Sequence, residues 1–192
     1  MHESLIRYIS AGMTLSDEHI ALVRLLFVPR ALTKGQFFQR AGQVASRGAF
    51  VVRGCFRTYA IDERGKEQIL GFSPEEAWIG DLQSATTGTP TLYFVEAIEP
   101  SDVFTIDLPG LERLHASVPV LADAFHKGIQ RSRAAKERRI LASLHTTAEE
   151  RYAEFVESKP QLAQRIPLHM LASYLGVTPE TLSRIRARRK LR

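Results

Sequence analysis

The sequence predicts an α+β chain with its strands first and its helices last, and three observations carry that reading. Between about residues 30 and 107, short apolar runs alternate with Gly-, Pro- and acid-rich turns. From Leu108 the apolar residues fall at helical spacing almost to the end. The tail is strongly basic: Thr178–Arg192 carries six Lys or Arg residues against one acid, Glu180, a net of +5 that equals the charge of the whole 192-residue chain. A run of strands followed by a run of helices favours a sandwich or small barrel over a βαβ sheet. A basic tail on an otherwise balanced chain points to an anionic partner, nucleic acid or an acidic membrane surface.

The N-terminal quarter opens with a short amphipathic helical region. In "SDEHIALVRLLF" a Ser16-Asp17-Glu18 start precedes Ile20, Leu22, Val23, Leu25 and Leu26, and Pro29 closes the helix. "GAFVVRGCFRTYAI" is rich in β-branched and aromatic residues, "DERGKE" is a hairpin-type turn with Gly65 near its tip, and "EQILGF" resumes the strand pattern. "TLYFVEAI" and "DVFTID" follow, split by "EPS". Hydrophobic residues make up 44% and charged residues 24% of the chain, the balance of a globular protein. Neither a spanning apolar stretch nor a secretory leader is evident. Cys55 is the only cysteine, so no disulfide framework or cysteine-ligated metal cluster can be built. A reduced, cytoplasmic setting is the simplest expectation.

In the helical half, "PGLERLHA" reads as one or two turns and Ser117-Val118-Pro119 as a fresh helix start. A long segment follows with Leu121, Phe125 and Ile129 on one stripe and small or polar residues such as Gly128 and Ser132 in its middle. That narrow stripe fits a two-helix seam between subunits; the alternative is a long surface helix packed on its own domain. Thr146-Thr147-Ala148-Glu149-Glu150 offers a capping box for "AEERYAEFVES", and Lys159-Pro160 stops that helix.

The tail is the most specific part. "PLHMLASYL" is a short helix, Gly176 can take positive φ in a tight turn, and Thr178-Pro179-Glu180 supplies a hydroxyl cap, a first-turn proline and an acid at the positive dipole end. Ala172 is small enough for close helix approach, while Leu182 and Ile185 face inward. This is a helix-turn-helix pattern, whose second helix enters the DNA major groove. The outward candidates for DNA contact are Thr178, Glu180, Thr181, Ser183, Arg184, Arg186, Arg188 and Arg189. Glu accepts from a cytosine amino group, Arg grips guanine bidentately, and the hydroxyls suit phosphate oxygens. A membrane-surface helix needs a broad apolar face, and here the apolar set is used by the corner.

In "LASYLGVTPETLSRIR", and in the order of its parts along essentially the whole chain, the sequence resembles the Crp/Fnr family of bacterial transcription regulators. The resemblance implies an antiparallel β-roll of the double-stranded β-helix (jelly-roll) type over residues 1–108, a linker and dimerisation helix over 109–144, and a helix-turn-helix DNA-binding domain over 145–192. Leu121, Phe125, Ile129 and Ser132 would line the dimer seam. The Glu180 to Arg184 spacing matches the family's base-reading pair. Because the chain stops at Arg192, a complete wing after the recognition helix is not expected. "WIGDLQSATTGTPTLYFVEA" lines up with the family's phosphate-binding cassette, making Gly80, Asp81, Leu82, Thr91 and Leu92 the effector-pocket candidates. Asp81 replaces the ribose-binding glutamate, and Thr91 or Leu92 stands where the phosphate-binding arginine belongs. A buried cyclic phosphate without that cation is poorly paired, so cyclic AMP is not the expected effector. One cysteine cannot hold an Fnr-type iron–sulfur cluster.

The reading is therefore a homodimeric, sequence-specific regulator that binds double-stranded DNA at a palindromic operator. It has no membrane partner, no cofactor and no metal, and RNA polymerase is a further partner the family implies. The alternative is a ligand-binding β-roll whose basic tail holds nucleic acid without sequence preference. An enzyme is not expected: Asp81, Glu75, Glu76 and the histidines form no nucleophile–base or metal set, and no catalytic residue is assigned.

Overall fold

The computed structural model describes residues 2–10, 14–119 and 145–190. Chain packing divides it into two compact units, Met1–Ala60 with Gly71–Gly128, and Ile61–Leu70 with Ile129–Arg192. The dimer-seam candidates Leu121, Phe125, Ile129 and Ser132 lie outside the described residues.

Two helices open the chain, α1 (Glu3–Ile9) and α2 (Asp17–Leu26). As expected, Ser16 caps α2, its hydroxyl accepting from the His19 amide at 3.2 Å. Pro29 does not end that helix directly. The helix stops at Leu26, and Pro29 falls inside β1 (Val28–Leu32). It is tolerated there because β1 is an edge strand, where a missing N–H costs no ladder bond.

The strands β2 (Phe37–Gln39), β3 (Arg47–Arg53), β4 (Phe56–Ile61), β5 (Glu67–Ser73), β6 (Trp78–Ile79), β7 (Phe94–Ala97) and β8 (Ser101–Asp107) complete two four-stranded sheets. Their orders are β1-β8-β3-β6 and β2-β7-β4-β5. The registered pairs β1/β8, β3/β8, β3/β6, β2/β7 and β4/β7 are antiparallel. The apolar run in β3 is explained by burial on both faces. Ala49 and Val51 join Leu32, Phe56, Ile79, Val95, Ala97 and Val103 in one cluster, while Phe50 joins Leu5, Val23, Phe27, Phe104 and Leu114 in another. Alternate residues of one strand thus serve a strand-lined core and a helix-lined core. Trp78 packs against the second cluster beside Tyr8, Phe27 and Phe50, and Cys55 is fully buried.

The Asp62–Lys66 turn forms as read. Asp62 accepts from the Arg64 amide at 3.0 Å and the Lys66 amide at 2.9 Å, with Gly65 at φ 77°. The Lys66 amide is the first cause holding the Asp62 carboxyl below its ordinary range, and the Arg64 amide adds to it. Helix α3 (Leu82–Thr87) sits between β6 and β7. Helix α4 (Leu108–Ser117) is longer than the one or two turns expected, started by Asp107 accepting from Gly110 at 2.9 Å.

The described helices of the second unit are α5 (Ala148–Ser158), α6 (Pro160–Arg165), α7 (Leu168–Leu175) and α8 (Pro179–Lys190). Thr147 and Glu150 form the full capping box at the start of α5. Lys159-Pro160 does stop α5, but Pro160 also opens α6, a helix the sequence pattern did not reveal. The same fixed φ that ends one helix suits the first residue of the next.

Candidate nucleic-acid interface and effector pocket

Helices α7 and α8 are joined by the three residues Gly176–Thr178. Gly176 caps α7 in the left-handed region at φ 72°, and Val177 donates back to the Ala172 carbonyl at 3.0 Å. Leu171, Ala172, Leu175, Leu182 and Ile185 are buried, Ala172 and Leu182 completely. Thr178 starts α8 by accepting from the Thr181 amide at 3.3 Å. The apolar side of α8 is thereby committed to packing.

The other side is open. Thr178, Glu180, Ser183, Arg184 and Arg188 are exposed, and Thr181 is half-buried. Arg184 donates to the Thr181 hydroxyl at 3.3 Å, which leans the guanidinium along the helix. The Glu180 carboxyl is held below the ordinary glutamate range, first by its own backbone amide and then by the Thr178 hydroxyl. An ionised carboxylate stands at the positive end of the helix dipole, ready to accept a hydrogen bond.

Arg186 and Arg189 sit differently. Arg186 Nε donates to the Tyr152 hydroxyl at 3.1 Å, and Arg189 pairs with Glu157 at 2.7 Å, both partners lying on α5. These two cations hold α8 against α5 while Arg184 and Arg188 stay on the open face. Arg151, which sequence reasoning missed, donates to the Thr146 carbonyl and to the Leu175 carbonyl, the latter at 3.1 Å. It thereby satisfies an end carbonyl of α7. Its signal was a basic residue whose partner lies 24 positions away, which local pattern cannot show.

In the β-roll, Gly80 is at φ 123°, and a Cβ there would stand 3.1 Å from the Gly48 Cα and 3.2 Å from the Arg47 carbonyl oxygen. Only glycine fits that approach. Asp81 caps α3, one oxygen accepting from the Ser84 amide at 3.1 Å and the other from the Thr91 hydroxyl at 2.8 Å. Thr91, 2% exposed, accepts in turn from Gln39 Nε2 at 3.0 Å and from the Tyr93 amide at 3.2 Å. Ser84 accepts from the Ala45 amide at 2.9 Å and donates to the Thr89 carbonyl at 2.6 Å. Of the five pocket candidates, Asp81 and Thr91 are brought together, whereas Leu82 and Leu92 point to solvent at 40% and 73% exposure. Each Asp81 carboxylate oxygen thus accepts one hydrogen bond from within the cassette. Among the described residues no group of His, Cys, Asp or Glu is arranged to hold a metal.

Comparison with known proteins places this geometry. Residues 29–117 match the family model described as Cyclic nucleotide-binding domain. The chain is 31% identical to the fumarate and nitrate reduction regulatory protein of Vibrio cholerae over 173 residues, 83% of this chain and 67% of that protein. It is 29% identical to the transcriptional activator protein anr of Pseudomonas aeruginosa, over 81% of this chain and 68% of that protein. Among solved structures, FixK2 from Bradyrhizobium japonicum has the same fold at a TM-score of 0.73 and 20% identity, covering 84% of this chain and 83% of that one. The curated relatives, matched over more than four-fifths of this chain, together with the shared fold define a transcription regulator. The chain belongs to the Crp/Fnr family of such regulators.

Proposed function

We propose that this chain is a homodimeric regulator that reads a palindromic DNA site through α8. Crp/Fnr regulators bind DNA and act as dimers. The observation that carries the reading is the split on α8: Leu182 and Ile185 are buried, Arg186 and Arg189 are tied to α5, and Glu180, Arg184 and Arg188 are left exposed. Glu180 and Arg184 are the proposed base readers, with Thr178, Thr181, Ser183 and Arg188 on phosphates. Arg186 and Arg189 act mainly by positioning α8, with phosphate contact secondary to that role. In a dimer the two helices must stand one DNA turn apart, roughly 34–36 Å. The protein works in the cytoplasm, carries out no catalysis, and contacts RNA polymerase from its DNA-bound state. No helix among the described residues is long and apolar enough to cross a membrane. The closed Asp81–Thr91 pair supports a β-roll that does not use cyclic AMP as effector.

The test is selection from a pool of random duplexes at physiological salt, with the full chain. Recovery of one consensus with two-fold symmetry is the expected result. Equal binding to all duplexes favours the non-specific alternative.

A further inference from the structure

The helices of the second unit are entered through a two-residue joint. His145 is helical, Thr146 and Thr147 are not, and α5 begins at Ala148. The expected dimer-seam residues, Leu121, Phe125, Ile129 and Ser132, come before this joint in the chain, and the α7–α8 corner comes after it. A short non-helical segment in such a place is the kind that absorbs a rotation. Rotation here would swing the corner relative to the seam.

The peptide linking Thr146 to Thr147 is nevertheless held on both of its polar groups. Its N–H, from Thr147, donates to Glu150 Oε2 at 2.7 Å, and its carbonyl, from Thr146, accepts from Arg151 Nη1. A peptide unit is planar, so fixing both groups fixes its orientation. The two holders are not equivalent. Glu150 belongs to the capping box of α5 and ties the peptide only to that helix. Arg151 reaches further: its Nη2 donates to the Leu175 carbonyl at 3.1 Å, one residue before the Gly176 cap. One planar guanidinium therefore holds the entry peptide and the corner side by side, although α5 and α6 separate them in the chain. The carbonyl it takes lies at the negative end of α7, where a cation is favoured.

We infer that Arg151 is a positioning residue for half-site spacing: its guanidinium locks the Thr146–Thr147 joint to the α7–α8 corner, so that the dimer accepts one separation of its two half-sites. This rests on the reading of α8 as the DNA reader of a homodimer. Half-sites one turn apart are about 10–10.5 base pairs from centre to centre, so one added base pair turns a half-site by roughly 35° and moves it about 3.4 Å. A locked joint follows that shift only by opening the clamp. The cost is that of a charge-assisted hydrogen bond, about tenfold or more in affinity.

The experiment measures binding of the full chain to the selected duplex and to the same duplex with one base pair inserted or removed at its centre. In Arg151→Gln the cost of the inserted base pair is expected to fall about tenfold relative to wild type, with the base preferences inside each half-site unchanged. Arg151→Lys keeps the charge but has no planar fork to reach both carbonyls, so it relaxes the spacing as Gln does. Ile166→Val trims a buried side chain elsewhere in the helical unit, and should lower thermal stability with the spacing cost unchanged. That contrast separates the joint from a general loss of stability. An unchanged spacing cost in Arg151→Gln, a lysine variant that behaves as wild type, or the same relaxation in Ile166→Val overturns the inference and leaves the DNA reading standing. A wild type indifferent to spacing overturns both. Should Arg151→Gln fail to fold, Arg151→Lys decides it.

Discussion

Replacing Gly176 by Ala isolates the backbone requirement at the corner between α7 and α8. The residue sits at φ 72°, and a Cβ built there meets nothing within 4 Å. The substitution therefore carries no steric clash, and its whole cost is the left-handed conformation, about 1–2 kcal/mol for an L-residue. A small offset comes from the lower chain entropy of unfolded Ala, leaving a loss of about 1 kcal/mol. For a chain of this size that corresponds to a Tm lower by about 2–4 °C. Urea unfolding followed by far-UV circular dichroism measures it, with the midpoint falling at constant slope. Gly176→Asn is the internal control. Asn tolerates this region better, so it should lose less than Ala despite being larger. If Ala is as stable as Gly, or if Asn is worse than Ala, the corner is not built on a left-handed cap.

Thr91→Val removes the donor to Asp81 and the acceptor for Gln39 and Tyr93 while nearly keeping shape. Leaving the buried Gln39 amide and the part-buried Asp81 oxygen without that hydroxyl should cost about 1–3 kcal/mol in thermal unfolding. Calorimetric titration with cyclic AMP should give no binding in either form. Glu150→Gln should make stability less dependent on pH in the acid range. The Glu150 carboxyl is held below its ordinary value, first by the Thr147 amide and then by the Thr147 hydroxyl. Its contribution is therefore present above the unfolded value of about 4.3 and lost as pH falls through the lower folded value. Wild type should accordingly lose its advantage over the variant below about pH 4, in unfolding curves taken across that range.

The local signals proved the readable ones. Ser16, the Thr147–Glu150 box, Gly176 and Thr178 each act within three or four residues, and each does what its type and spacing implied. Strand identity was legible from β-branched runs, and the buried face of α8 from Leu182 and Ile185. Long-range partners were not legible. Thr91 was read as a missing arginine, whereas its hydroxyl closes Asp81 from ten residues away. Arg186 and Arg189 looked like two more cations on a basic helix, yet Tyr152 and Glu157, over thirty positions upstream, claim them. Pro29 and Pro160 show the other limit. A proline marks a boundary, but packing sets the element that contains it, a strand for Pro29 and a helix for Pro160.

The base-reading assignment on α8 is tested most directly by Arg184→Ala, with Arg186→Ala beside it, each assayed against a set of single-base variants of the selected duplex. With Arg184 on a base edge, that variant should lose discrimination at one base pair per half-site, by about 1–3 kcal/mol, and keep the preferences elsewhere. Arg186→Ala, which frees α8 from Tyr152, should weaken every duplex alike. Retained discrimination in Arg184→Ala, or loss of the same single preference in Arg186→Ala, would contradict the assignment.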